Sequence, residues 1–232
     1  MKNILIFILF TSVSLAQSVK PEDILEKVKN NFSRVNDYEV RVNIKVDVNF
    51  LKVPETRAKI FYKKPDKIQL KSEGFALLPK EGLDFSPYSF LEGDYTAIFD
   101  KENVIGGNPC YLIKIIPLGD KGDLILSTLW IDKNKYVIRK IESTTKSNGT
   151  FTIDLKYDND FKYPLPSSMV FTFNVQKMQM PKEITGDMTD ETNEEKDKQN
   201  KSRTTTGKVY INYSDYKVNS GLPDSLFTHE KK

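Results

Sequence analysis

One stretch of the sequence alternates without interruption between apolar and polar residues over positions 38–50. Because successive side chains of a β-strand point to opposite faces of a sheet, this spacing predicts a strand with one apolar face. The stretch is longer than the usual strand of about 5–6 residues, which favours a broad curved sheet over a compact sandwich. Its apolar members are Tyr38, Val40, Val42, Ile44, Val46, Val48 and Phe50.

An amphipathic helix is predicted just before this strand. Pro21 suits a first helical turn, and Glu22 and Asp23 follow it where acidic side chains complement the helix dipole. Apolar residues then recur at helical spacing, and this apolar stripe must pack against another element. These residues are Ile24, Leu25, Val28 and Phe32.

Two-residue alternation returns along most of the remaining chain. Ala58, Ile60 and Tyr62 alternate, and the Lys-Pro-Asp-Lys sequence at 64–67 predicts a turn into a second strand. Together with the helix, these stretches predict an antiparallel meander of the α+β class. Further alternating stretches occupy 111–115, 151–157, 171–175 and 209–213.

Two segments break the alternation. Residues 74–91 are rich in apolar residues but contain Pro79, Gly82 and Pro87, which predicts a lid of short helix or turn. Residues 178–206 are rich in charged residues, Asn and Thr, which predicts a flexible polar insertion between two strands. We expect residues 17–232 to form a single domain.

Residues 1–16 are typical of a secretory signal peptide. Lys2 precedes an apolar run, and Ser14 and Ala16 are small residues at the positions that a signal peptidase reads. Cleavage after Ala16 leaves Gln17 where a lipoprotein would need a cysteine. No later segment approaches the roughly 20 apolar residues that a membrane helix needs. We therefore expect an exported protein without a lipid anchor.

Side chains common in catalytic and metal sites are scarce. The sequence holds one His, His229, and one Cys, Cys110. The lack of a His near a nucleophile argues against an enzyme, and a lone Cys is more often a buried small hydrophobe than a reactive thiol. Asp158 and Asp160 are more typical of a turn than of a cation site. We expect no metal and no cofactor, and the formal net charge of +3 does not suggest nucleic-acid binding.

Apolar surface is the remaining feature. A single strongly bent sheet has more concave apolar surface than one helix covers, so a cavity or a second partner is expected. We expect the residues that line this cavity to be Val42, Ile44, Val46, Phe61, Phe75, Leu77 and Phe90.

Four segments, Tyr111–Pro117, Leu129–Asp132, Val137–Lys140 and Phe171–Phe173, follow the helix, the meander and the apolar interruption. In this order the chain resembles the LolA-like outer-membrane lipoprotein-sorting proteins of Gram-negative envelopes, over nearly all of the predicted mature chain. The resemblance implies a strongly curved antiparallel sheet that forms an incomplete β-barrel around a helical lid, with an apolar cavity for acyl chains.

The resemblance also implies a function and partners. We expect a monomeric periplasmic carrier, with transient membrane proximity, that takes acylated lipoproteins from an inner-membrane export complex to an outer-membrane acceptor. Family members have a basic residue before a proline that is thought to contact the lid, and Lys64 before Pro65 occupies that place, although a solvated turn lysine is equally consistent. The alternatives are an envelope-stress sensor with the same half-barrel and a hydrolase whose carboxylates assemble only in the fold.

Overall fold

The computed structural model describes residues 19–48, 51–72, 88–119, 123–147, 149–160, 162–174 and 206–227. The predicted signal peptide and the predicted insertion at 178–206, except Thr206, lie outside these residues. Most of the predicted lid at 74–91 also lies outside them. Within the described ranges, no helix is both long enough and apolar enough to cross a membrane.

The predicted helix is α1 (Pro21–Phe32), and it begins with the expected proline. Glu22 and Asp23 lie in its first turn and Lys29 in its last turn, as the helix dipole favours. The helix ends at a capping residue, Ser33, whose backbone N–H donates to the carbonyl of Lys29 at 2.8 Å. Its apolar stripe is buried through Ile24, Leu25 and Val28.

The described strands form one antiparallel sheet. Ten of them follow the order β4-β3-β1-β11-β10-β9-β8-β7-β6-β5, and β2 pairs with β1. In the described part of the chain, β4 and β5 are the two edges of the sheet, so the curved sheet is an incomplete barrel. The strands are β1 (Asp37–Val48), β2 (Leu51–Lys52), β3 (Thr56–Lys63), β4 (Lys67–Ser72), β5 (Tyr95–Ile105), β6 (Asn108–Pro117), β7 (Leu124–Asp132), β8 (Ile138–Thr145), β9 (Gly149–Lys156), β10 (Ser168–Asn174) and β11 (Thr206–Val218). Two short 3₁₀-helices are η1 (Ser89–Leu91) and η2 (Asp224–Phe227).

Antiparallel pairing gives the sheet two ends. We call the end that contains Asp37, Lys63 and Asp132 the helix end, because Asn31 of α1 contacts the turn between β7 and β8 there. The far end carries the opposite strand termini, among them Val48 and Ser72.

The predicted alternation along β1 is confirmed. Val40, Val42, Ile44 and Val48 are each at most 4% exposed, whereas Arg41, Lys45 and Asp47 are exposed. The inward residues join a core cluster that includes the apolar stripe of α1 and residues of seven other strands. One face of the long strand therefore contacts the interior and the other contacts solvent. The predicted turn at 64–67 is also confirmed, since β3 and β4 pair around it.

A buried carboxylate fixes the turn between β7 and β8 at the helix end. Asp132 is 2% exposed, and its Oδ1 accepts from the backbone N–H groups of Asn134 and Lys135, both at 2.9 Å. Its Oδ2 accepts from Nε and Nη2 of Arg139 at 2.9 and 2.8 Å. The bidentate contact with Arg139 and the two hydrogen bonds from backbone N–H groups compensate the buried negative charge of Asp132.

Candidate functional site

Four neighbouring strands, β1, β11, β10 and β9, build an apolar concave face that extends to the far end. Cross-strand partners Ile44 and Ile211, Val46 and Val209, and Phe171 and Val209 place their side chains on this one face. The strands pair in sequence around the curve, so the face is continuous. Its inward residues are Val42, Ile44, Val46, Val209, Ile211, Met169, Phe171, Phe173, Phe151, Ile153 and Leu155.

Four phenylalanines form a row across this concave face. The ring centroids of Phe173 and Phe171 are 5.2 Å apart, and those of Phe171 and Phe151 are 5.4 Å apart. Phe90 of η1 continues the row, with its centroid 6.5 Å from that of Phe151. These separations are within the range in which aromatic rings attract one another beyond simple area burial. The row therefore links the interior of β9 and β10 to the short helix before β5.

The structure brings together four of the expected cavity residues. Val42, Ile44 and Val46 share the concave face of β1, and Phe90 approaches the same interior through Phe151. Phe75 and Leu77 lie outside the described residues, so their placement stays a prediction.

The expected place of Phe61 in the cavity was wrong. Its cross-strand partner is Glu39, whereas the next residue, Ile60, is opposite the inward Val40. The alternation that points Ile60 inward must point Phe61 to the outer face. There the residue is only 7% exposed, and the Nζ of Lys71 lies 5.5 Å from the centroid of its ring.

Sequence reasoning missed Phe151, Phe171 and Phe173 as site residues. Their two-residue spacing was visible as strand alternation. The missing information was the pairing of β10 with both β9 and β11, which places Phe171 opposite Val209 of β11 and brings the Phe151 ring of β9 within 5.4 Å of the Phe171 ring.

Helix α1 covers the interior at the helix end. Asn31 Nδ2 donates to the carbonyl of Lys135 at 3.0 Å, in the turn between β7 and β8. The Phe32 ring stacks on the Tyr88 ring with centroids 3.8 Å apart and approaches the Tyr62 ring at 5.8 Å. These contacts close one end of the half-barrel around the C-terminal part of the helix.

Part of the predicted lid is described and is packed against this helix. Tyr88 and Leu91 are 6% and 3% exposed. Besides stacking on Phe32, Tyr88 donates its hydroxyl to the carbonyl of Pro164 at 2.9 Å, in the connection between β9 and β10. The segment at 74–91 is therefore anchored at its C-terminal end, where the predicted short helix is η1.

Lys64, the expected lid-latch residue, bonds to the C-terminal region of α1. Its ammonium donates to the carbonyl of Ser33 and to Oδ1 of Asn36, the latter at 3.3 Å. Its backbone N–H donates to the carbonyl of Asn36 at 2.9 Å. A cation at this place complements the helix dipole. A further contact with residues 73–87 stays a prediction, because those residues lie outside the described part of the chain.

A cavity of about 590 Å³, which we call the seam cavity, is lined by α1, by the β3–β4 hairpin and by the η1 segment. Tyr62 and Ile68 line one side, Leu91 and Glu92 line the other, and Phe32 of α1 lies behind them. Two exposed carboxylates, those of Asp66 and Glu92, also line the cavity. Partial desolvation, followed by the negative charge of Asp66, raises the pKa of Glu92 above its ordinary value. These carboxylates are separate from the concave apolar face of β1 and β9–β11.

Cys110 is 0% exposed, and burial, followed by the charge of Asp132, raises the pKa of its thiol. This is the environment of a packed thiol and not of an activated nucleophile. Within the ranges that the structure describes, no group of three or more His, Cys, Asp or Glu residues could hold a metal ion.

No protein-family model and no curated protein matches the sequence. The fold is similar to that of a LolA superfamily protein from Nitrosomonas europaea, with a TM-score of 0.57 and 14% identity over 91% of this chain and 99% of that chain. A DUF1329 family protein from Desulfovibrio piger has a TM-score of 0.55 and 12% identity, over 90% of this chain and 97% of that chain. A domain from Vibrio parahaemolyticus, described as an outer membrane lipoprotein-sorting protein domain, has a TM-score of 0.53 and 15% identity. The match covers 90% of this chain and 97% of that chain. The predicted fold is thus confirmed: this chain has the incomplete-barrel fold seen in the LolA superfamily.

Proposed function

We propose that this protein is a periplasmic carrier that binds the acyl chains of lipoproteins and transfers them towards the outer membrane. The observation that carries the proposal is the continuous apolar concave face of β1, β11, β10 and β9, with its row of phenylalanines. The lipoprotein-sorting description of the Vibrio domain with the same fold supports this choice of cargo. The proposed activity is binding and transfer, without a catalytic step.

The energetics explain why such a carrier is needed. Each methylene withdrawn from water contributes about 0.8 kcal/mol, so an acyl chain of about sixteen carbons contributes roughly 12 kcal/mol. A lipoprotein with two or three such chains leaves a membrane very slowly unless another apolar surface receives them. The concave face supplies such a surface, because Val, Ile, Leu, Met and Phe side chains of β1 and β9–β11 line it.

The two ends of the sheet differ in a way that suggests where the chains enter. Helix α1 and Tyr88 close the helix end through their contacts with Lys135 and Pro164. Val46 lies near the other end of β1 and is only partly buried, although it belongs to the concave face. We therefore place entry of the acyl chains at the far end, with Val42, Ile44, Val46 and Phe90 among the residues they contact.

Two substitutions at neighbouring positions of β1 test the binding site. Ile44→Glu places a carboxylate on the concave face, where an unpaired charge costs several kcal/mol or is neutralised by a raised pKa. Lys45→Glu is the matched control, because Lys45 is exposed on the outer face of the same strand. In a titration with a fluorescent diacylated lipopeptide, we expect the affinity to fall at least about tenfold for Ile44→Glu and to stay unchanged for the control.

Circular dichroism must first show that both variants are folded. If Ile44→Glu does not fold, Val46→Glu replaces it, because the partly buried Val46 tolerates a carboxylate better. Equal affinities of a folded concave-face variant and the control would refute the site.

Transfer separates a carrier from an envelope-stress sensor with the same half-barrel. A carrier accelerates movement of a labelled lipoprotein from donor to acceptor vesicles in proportion to its concentration. A sensor retains the lipoprotein, and the rate stays that of the uncatalysed exchange. Mass spectrometry of lipids that co-purify from the native envelope then identifies the cargo.

A further inference from the structure

Three cationic side chains lie directly opposite one another on the outer face of the sheet. Arg41 of β1 pairs with Lys59 of β3, and Lys59 pairs with Lys71 of β4. Directly opposed residues have Cβ atoms about 4.5–5.5 Å apart, and like charges at that separation destabilise a sheet. Arg57, the next outward residue of β3, adds a fourth cation opposite Asn43. Such a row has an energetic cost that a bound anion would offset.

The protein itself offsets only part of this repulsion. Arg41 Nε donates to Asp215 at 2.8 Å, and the Nζ of Lys59 lies 3.1 Å from Oε1 of Glu39. Lys71 lies over an aromatic ring, and Arg57 has no ion pair within the described residues. Asp215 reaches Arg41 from a left-handed backbone position, with φ of 57°, next to a β-bulge between β1 and β11.

The four cations line a groove of about 580 Å³ on the outer face. Among the described lining residues, Asp215 is the single carboxylate. Four cationic side chains therefore face one carboxylate in this groove, whereas the whole chain has a formal net charge of only +3. Asn43 also lines the groove, and its buried Oδ1 has no hydrogen-bond partner in the described structure. The groove therefore offers an anion several cationic hydrogen-bond donors.

We infer that this groove binds the phosphate headgroup of an anionic membrane lipid and so docks the protein on a membrane surface. Guanidinium and ammonium groups make charge-assisted hydrogen bonds to phosphate oxygens. Ser72, at the far end of β4, also lines the groove. Docking here would bring the far end near the bilayer, a consequence that rests on the proposed function.

Sedimentation of the full chain with vesicles tests this inference. The vesicles contain phosphatidylcholine alone or with phosphatidylglycerol, at low and at physiological salt. We expect binding only to the anionic vesicles, weakened by salt because exposed charges are screened beyond about 8 Å at physiological ionic strength. The double variant Arg57→Glu, Lys71→Glu should bind at least about tenfold more weakly, since each basic residue near an anionic surface contributes about fivefold.

The matched control carries the same change of charge elsewhere on the sheet. Lys101→Glu, Lys156→Glu alters two exposed lysines of β5 and β9 that do not line the groove. Its binding should stay within about twofold of the unmodified protein. If the groove variant fails to fold, Arg57→Gln replaces it, because Arg57 has no described side-chain contact to lose.

Three results would overturn the inference. One is equal binding to neutral and anionic vesicles, and another is an equal loss of binding in the groove variant and its control. The third is groove-dependent binding of soluble glycerophosphate or of an acidic peptide while vesicle binding is unaffected. Lipopeptide binding without vesicles should be unchanged in the groove variant. Failure of docking and failure of acyl-chain binding are therefore distinguishable.

Discussion

Asp132 and Arg139 form a buried ion pair whose side chains are 2% and 12% exposed. We expect Asp132→Asn to lower the free energy of unfolding by about 3 kcal/mol, because it leaves the Arg139 charge uncompensated in the interior. The matched control is Asp215→Asn, since the side chains of Asp215 and Arg41 are 56% and 64% exposed. Asp215→Asn should lower the free energy of unfolding by less than about 1 kcal/mol. Urea denaturation measures the free energy of unfolding of both variants, and equal losses would contradict the structural role of Asp132.

The ion pair of Asp132 and Arg139 also predicts how the stability of the fold depends on pH. Burial alone would raise the pKa of Asp132, but the Lys135 amide, Arg139 and the Asn134 amide together hold it below its ordinary value. A carboxyl with a lowered pKa stabilises the fold above the pKa of the unfolded chain, about 3.9, and loses that effect as the pH falls through the folded pKa. The difference between wild type and Asp132→Asn should therefore shrink below about pH 4. A difference that is unchanged between pH 7 and pH 3 would contradict this.

Among the structural elements, η1 is the short helix that links α1, the seam cavity and the phenylalanine row. Tyr88 immediately precedes it and donates to the carbonyl of Pro164 at 2.9 Å. We expect Tyr88→Phe to destabilise this contact by about 1 kcal/mol and to accelerate amide exchange in residues 88–91, because a buried carbonyl loses its donor.

Tyr210→Phe is the control for this prediction. Tyr210 lies on β11 with its Cα opposite Lys45, and no hydrogen bond of its hydroxyl is described. Its substitution should leave exchange in residues 88–91 unchanged. Unchanged exchange in Tyr88→Phe as well would show that the hydroxyl does not anchor this segment.

Elements defined by local pattern were predictable from the sequence. The proline and acidic residues at 21–23 mark the start of α1, and the alternation of β1 fixes which residues face inward. The hairpin between β3 and β4 was predictable because its turn and both strands are adjacent in sequence. Phe61 was expected in the cavity, although the alternation of Ala58, Ile60 and Tyr62 already places it on the other face.

At the scale of the whole molecule, pairing between distant strands could not be predicted from alternation. β11 lies between β1 and β10, so the last described strand joins the first hairpin to the meander. That pairing places Ile211 beside Ile44 and Val209 beside Phe171, although these residues are far apart in the chain. The sequence could therefore identify the β1 side of the candidate site, but not its extension to the phenylalanines of β9 and β10.

The cationic groove also depends on long-range pairing. Arg41, Lys59 and Lys71 are ordinary outward residues of three separate stretches until the register of β1, β3 and β4 aligns them in one row. The apolar concave face and this groove occupy opposite faces of β1. Under the proposed function, cargo would contact one face of β1 and a membrane the other.

Photocrosslinking with a lipopeptide that carries a diazirine near the end of an acyl chain tests acyl-chain binding most directly. Mass spectrometry of the irradiated complex identifies the labelled residues. Binding on the concave face predicts labels at Val46, Phe171 and their inward neighbours. It predicts none at Lys45 or Thr172, which adjoin Val46 and Phe171 in sequence but face outward. Labels confined to the outer face, or spread equally over both faces, would contradict acyl-chain binding in the half-barrel.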